Sequence, residues 1–364
     1  LDFIMKKIIV LLIIIFNTFL VLSAQNDDLD DLMENIKNND IEKVKTLLRE
    51  GINLDLYNIN YQMSPLIYAA KLGNAEIVNE LLDFGAKDFD FAFYTACAEG
   101  YWDIAENIMK SGASNYNIAL SYAAIGGQLD IAEKLIDLGA KDLNPALVSA
   151  CEGNNLEIVK YLIDKGANVN AKAYIESYRN YKGAERKSPL TASTNIDIIK
   201  ELVNAGASNL NEGIIYNAQI TYDNFDSTYY TSILNEYINL GADVNSYSMN
   251  DGKTLLMYLI EKKELDFELI KKVIELGADV NASDRNGNTV LIRAVMYKYE
   301  APIEDSSLNK KVYRTIGTPI NIIEELLNAG ASPTDRNNYG NTAYRIAAKN
   351  KREDIIKLFD KYTK

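Results

Sequence analysis

Histidine is absent from this chain of 364 residues, tryptophan occurs once and cysteine only twice. Without an imidazole there is no Ser–His or Cys–His nucleophile pair and no histidine-bound metal. No glycine-rich phosphate loop follows a strand pattern either, because the glycines are taken up by turns. A surplus of positive charge is also missing. Lys and Arg number 38 against 51 Asp and Glu, giving a net charge of −13 and a pI near 4.7. Affinity for nucleic acid comes from Lys and Arg on phosphates, so this balance argues against a nucleic-acid partner. What is present is ordinary for a folded soluble protein: 48% hydrophobic and 24% charged residues.

The main pattern is a recurring one. An apolar pair is followed four residues later by another, and then by Gly and a small residue. It runs from Ile77-Val78, Leu81-Leu82, Gly85-Ala86 to Ile322-Ile323, Leu326-Leu327, Gly330-Ala331. Positions i, i+1, i+4 and i+5 share one stripe of a helix, and the Gly just past it is a left-handed C-cap. The register glycines are Gly51, Gly85, Gly112, Gly139, Gly166, Gly206, Gly241, Gly277 and Gly330. No single unit buries its stripe alone, so neighbours must stack into a solenoid.

A second signature precedes many stripes: Ser64-Pro65-Leu66-Ile67-Tyr68-Ala69-Ala70 with Gly73, and less fully Ser188-Pro189-Leu190, Asp251-Gly252-Lys253-Thr254 and Asn286-Gly287-Asn288-Thr289. The combination resembles the ankyrin repeat, a β-turn and two antiparallel helices with a period near 33. Gly241-Ala242-Asp243-Val244-Asn245 and Gly277-Ala278-Asp279-Val280-Asn281 match that family's inter-repeat turn, and the resemblance covers residues 28–364. It implies an all-α fold: an ankyrin-repeat solenoid of about ten helix–turn–helix units with some β-hairpin fingers. The family's Thr-Pro-Leu-His motif lacks its His throughout. Ile67, Met257, Ile292 and Arg345 stand in that place, which bears on the rigidity of the turn rather than on the fold.

Spacing locates what is unusual. From Gly85 to Ala96, from Gly112 to Ala123 and from Gly139 to Ala150 there are 11 residues, where the family template has about 17. Three successive units over 86–166 therefore lack fingers and present bare inner helices. The next unit is lengthened instead, by a loop at 171–187 that carries Tyr174, Tyr178 and Tyr181 with Lys172, Arg179, Lys182, Arg186 and Lys187. Further insertions fall near Tyr297–Thr318 and Tyr222–Tyr230. Tyr and Arg are enriched where proteins bind proteins, so Tyr174, Tyr178, Arg179, Tyr181 and Lys182 are the candidate partner-binding residues.

Cys97 and Cys151 occupy the same register position two repeats apart, where Ala70 and Ala124 stand in other units. Stacked helices about 8–10 Å apart put the sulfurs roughly 20 Å from each other, beyond disulfide reach. Asp284-Arg285-Asn286-Gly287-Asn288 has its Gly too early for a calcium loop and reads as a finger's Asn-Gly turn.

At the N-terminus, Met5-Lys6-Lys7 precedes an apolar run from Ile8 to Leu22, broken only by Asn17 and Thr18 and followed by Ser23-Ala24. This is the form of a bacterial-style signal peptide over residues 1–24, with the true start at Met5. A domain over 25–364 follows, its terminal units Leu29–Gly51 and Thr342–Lys364 polar enough to cap the stack, with Ile355, Ile356 and Phe359 turned inward. No stable membrane span is expected after cleavage. The expected protein is exported, periplasmic or extracellular, monomeric and non-enzymatic. It grips an unknown protein partner on its concave face and finger loops, with no catalytic, cofactor or metal residue. The alternatives are a structural envelope component or an enzyme built on paired carboxylates. Glu76 and Glu157, typical of the acidic residues, fall on outer helix faces as a solvated surface would place them.

Overall fold

The computed structural model describes residues 27–174, 186–220, 227–262, 266–305 and 310–363. The leader-like segment lies outside them. Residues through Ala192 form one unit and Ser193–Lys364 a second.

In the first unit, helices alternate between inner and outer positions. The inner helices are α1 (27–37), α3 (Pro65–Leu72), α5 (Phe89–Glu99), α7 (Tyr116–Gly126), α9 (Leu143–Glu152) and α11 (Pro189–Ala192). The outer ones are α2 (Ile41–Arg49), α4 (Ala75–Asp83), α6 (Trp102–Lys110), α8 (Leu129–Asp137) and α10 (Leu156–Asp164). From α3 to α11 each inner helix packs on the next. Outer helices bury the first three stripe positions, as Ile77, Val78 and Leu81 in α4 or Ile158, Val159 and Leu162 in α10. Each such side chain contributes about 1.5–3 kcal/mol when removed from water. Inner helices are sandwiched, so six consecutive residues are buried: Ala92–Cys97 in α5, Ala119–Ala124 in α7, Ala146–Cys151 in α9. Cys97 and Cys151 are free and buried, with α7 between their helices.

The second unit repeats the scheme. It holds α12 (Ile196–Asn204), α13 (Leu210–Gln219), α14 (Ser227–Asn239), α15 (Leu255–Ile260), α16 (Phe267–Glu275), α17 (Val290–Met296), α18 (Ile320–Asn328), α19 (Ala343–Lys349) and α20 (Glu353–Tyr362). All nine register glycines have φ between +87° and +124°, the left-handed stop that the pattern requires.

Fingers are short antiparallel turns with bridges Asn58↔Met63, Tyr247↔Thr254 and Ser283↔Thr289, and the last is closed by Asn337 N–H donating to Asn341 O. They are missing before α5, α7 and α9, as the spacing requires. They are missing before α13 too, which the spacing concealed: the six-residue loss there is offset by extra length in the same unit. The fingerless inner helices α5, α7, α9 and α13 have 11, 11, 10 and 10 residues, against 8, 6, 7 and 7 in the fingered α3, α15, α17 and α19. A lost finger is thus exchanged for most of a helical turn.

The insertions resolve differently. Residues 297–318 contain an antiparallel hairpin, β3 (Lys298–Asp305) with β4 (Lys310–Gly317), paired from Lys298↔Gly317 to Asp305↔Lys310. Within 222–230, Ser227–Tyr230 are not loop but the first turn of α14, and 221–226 lie outside the described residues. In α20 the buried residues are Ile355, Leu358 and Phe359. Ile356 is only half-buried, because Leu358 at i+3 lies closer to the middle of the stripe.

Candidate functional site

The inner face of the first unit is bare along α5, α7 and α9. Phe91 is exposed there, and its ring lies edge-on to Tyr94, which in turn packs 5.4 Å from Tyr122 on α7. The second residue of each extended helix recurs as Asn117 in α7 and Asn144 in α9. Asn117 Oδ1 accepts the backbone N–H groups of Lys141 (2.8 Å) and Asp142 (3.0 Å). Asn144 Oδ1 accepts that of Asn168 at 2.9 Å. With the oxygens so fixed, both Nδ2 groups are left as donors. Among the described residues neither has an acceptor.

The fingered unit begins directly beyond α10. Its hairpin pairs β1 (Ala173–Tyr174) with β2 (Arg186–Lys187). Arg186 donates from Nη2 to Lys172 O at 2.9 Å and lies 5.6 Å from the Tyr174 ring centre, a cation–π contact. Lys187 pairs with Glu152 at the end of α9, 3.6 Å away. A groove of about 430 Å³ lies between α7, α9 and this hairpin, lined by Asn117, Ile118, Asn144, Pro145, Tyr174 and Arg186 among others. Of the candidate residues, Tyr174 stands on the groove's edge, 55% exposed. Tyr178, Arg179, Tyr181 and Lys182 lie outside the described residues. Asn117, Asn144, Ile118 and Pro145 were not among the candidates. Their signal was the return of Asn after 27 residues, Asn117 to Asn144.

In the second unit the three most exposed apolar residues sit on fingers: Tyr247, Met249 and Tyr339, with a second groove of about 600 Å³ between the fingers before α15 and α17. An ion-pair chain runs at the finger roots. Arg293 of α17 holds Asp284 through Nε (2.7 Å) and Nη2, and reaches Glu261 through Nη1 at 3.2 Å. Glu261 also takes Lys253 Nζ at 2.7 Å. Burial alone would raise the Asp284 carboxyl. The N–H donors of Asn288 and the Arg293 guanidinium outweigh it and hold the group below the usual carboxylate range.

Isolated perturbed groups complete the inventory. Burial pushes both thiols up, away from reactivity. Burial also lowers Lys262 to about 8, with its Nζ donating to Ile220 O at 3.0 Å over the Tyr230 ring. None of these groups stands beside a nucleophile–base partner among the described residues. No described helix is long and apolar enough to cross a membrane.

A family model described as ankyrin repeats (3 copies) matches residues 32–118, 93–173 and 120–213, together half of the chain. The chain is 44% identical over 64 residues to "Ankyrin repeat, SAM and basic leucine zipper domain-containing protein 1" of Homo sapiens, covering 16% of this chain and 13% of that protein. It is 53% identical over 47 residues to the Mus musculus protein of the same name, covering 13% and 10%. The chain therefore matches only a small part of these relatives' length. The crystal structure of the human ASB11 ankyrin repeat domain is similar over 58% of this chain and 98% of that one, at 19% identity and a TM-score of 0.38.

Proposed function

Because the chain belongs to the ankyrin-repeat family, we propose that it is a non-enzymatic scaffold that binds a protein partner through its inner-helix face and finger loops. The observation that carries this is the groove of the first unit. There the loss of three fingers bares α5, α7 and α9, and the Tyr174–Arg186 stack stands at their edge. Exposed aromatic and Arg side chains of this kind form the energetic centres of protein interfaces. The test is capture from a native extract with the folded chain, followed by titration of the recovered protein. Tyr174→Ala is expected to weaken binding about tenfold while leaving the melting temperature unchanged, since the ring is largely in solvent. An equal affinity in the variant refutes the site, and failure to capture any saturable protein partner refutes the function.

The export reading rests on Met5–Ala24 alone, and the bacterial character on the style of that segment; the relatives above are mammalian. We propose that the segment directs export and is removed near Ala24. N-terminal sequencing of the native protein should return Ala24 or Gln25, and recovery of Met5 from the cytosol would reject it.

A further inference from the structure

We propose that the groove between α7, α9 and the β1–β2 hairpin takes an extended peptide segment of the partner that places an acidic side chain against Arg186 beside a large apolar one. This rests on the protein-binding reading above and names the chemistry of that partner.

Three features point to such an occupant. First, Asn117 and Asn144 line the groove with their oxygens committed to the next unit's turn and their Nδ2 donors without an acceptor among the described residues. Donors repeated at a fixed interval along a stack match the carbonyls of an extended backbone. Neighbouring helices pack about 8–10 Å apart, and an extended chain rises about 3.3 Å per residue. The two amides therefore engage carbonyls about three residues apart, which share one face when the segment takes the extended polyproline II form of about 3 residues per turn and about 3.1 Å rise. Second, the floor is apolar but open. Ile118 and Pro145 are half-buried and Tyr174 forms the rim, which is room for one large side chain. Third, the charge is polarised. The hairpin wall supplies Arg186, which donates to the Lys172 carbonyl and pairs with no carboxylate among the described residues. The α9 wall supplies Asp142. Lys172 also lines that wall, in a protein of net charge −13. An acidic ligand side chain is drawn to the hairpin wall and repelled from Asp142, which fixes the direction of the segment.

The test is selection of displayed random nonapeptides on the immobilised full chain, with recovered sequences synthesised as fluorescein conjugates and titrated by anisotropy. Recovered peptides should share an Asp or Glu beside a large apolar residue. Arg186→Glu should weaken them tenfold or more. The double change Asn117→Asp with Asn144→Asp should do the same, because it keeps the acceptor that the turn needs and removes the donor. Asp90 already occupies this position in α5. Thermal melts of all variants should match the parent, and Leu276→Ala, at the exposed end of the outer helix α16 in the second unit, should leave affinity unchanged. Failure to recover peptides, recovery of basic ones, or equal affinity in the two groove variants overturns the proposal. Peptides that bind but ignore those changes refute the groove while leaving the scaffold function standing. The scaffold function fails only with the extract capture.

Discussion

The side-chain oxygen of Asn117 lies 2.8 Å from the backbone nitrogen of Lys141, one unit further along the chain. The same bond joins Asn144 to Asn168 and, in the second unit, Asn211 to Asp243. Where fingers exist, a residue of the preceding finger does this work: Asp55 for Lys87, Asn245 for Asp279, Asn281 for Ser332. In the units of α7, α9 and α13, loss of a finger thus moves the link between neighbouring repeats from the finger to the second residue of the lengthened helix. The His-free turns are stiffened in this way, together with Thr caps such as Thr254 on Met257 N–H.

Asn117→Ala removes the acceptor of two turn N–H groups that remain near water. The expected loss is about 1 kcal/mol, the net contribution of an exposed hydrogen-bonded clamp. Asn117→Asp keeps the acceptor and should unfold in urea at nearly the parent midpoint. Equal midpoints for the Ala variant and the parent would show the bond to be incidental.

Asp284 is the anchor of the second unit's ion chain, with a side chain that is fully buried. Its Oδ1 accepts the N–H groups of Asn286 and Asn288, and its Oδ2 accepts Asn288 Nδ2 and Arg293. The folded carboxyl titrates below its unfolded value, so its stabilisation is complete above the unfolded pKa of about 3.9 and disappears as pH falls through the folded one. Asp284→Asn should cost about 2–3 kcal/mol at pH 7, near the low end for breaking a buried pair because Arg293 keeps Glu261. The variant should also lose part of the stability slope below about pH 4. Parallel pH–stability curves for variant and parent would remove Asp284 from that role.

The glycine register and the apolar stripes made the helix pairs legible in the sequence, because each unit is built from local contacts at i, i+1 and i+4. The fourth fingerless unit was hidden, since Gly206 to Gly241 spans an ordinary 35 residues and only the position of Leu210 at the start of α13 reveals the exchange. Arg293 with Asp284 and Glu261 was illegible for another reason: the pairing crosses from one inner helix to the finger of its own unit and to the helix before it, and charge spacing alone does not give that geometry. Tyr174 was found by composition, whereas Asn117 and Ile118 read as ordinary helix residues until the groove placed them together.

The two thiols give a direct probe of native-state opening. Cys97 and Cys151 are both fully buried and burial raises both pKa values. Native protein should release almost no chromophore from a disulfide reagent at pH 8 over minutes, and two equivalents in guanidinium. Rapid native reaction at one thiol would locate a repeat that opens locally.

Gly126 tests how tightly the inner helices are stacked. A Cβ there would lie 2.0 Å from the carbonyl oxygen of Ala98 on α5, and Gly153 repeats the approach at 2.4 Å from Ile125 O. Helix propensity alone favours Ala over Gly by about 1 kcal/mol, so the two effects have opposite signs. The obstacle is backbone, which cannot rotate aside. Relief requires α7 to retreat from α5, stretching the bond from Gln128 Nε2 to Ala98 O. Overpacking of this kind costs about 1–3 kcal/mol or more, and Gly126→Ala is expected to destabilise by about 2 kcal/mol net of propensity. Gly139→Ala is the control: its Cβ meets nothing within 4 Å, but φ is +109°, so only a backbone cost of about 1–2 kcal/mol applies. Urea unfolding of both variants compares the steric cost at Gly126 with the purely conformational one at Gly139. A stabilised Gly126→Ala protein would mean that α5 and α7 stand further apart than the stack described here.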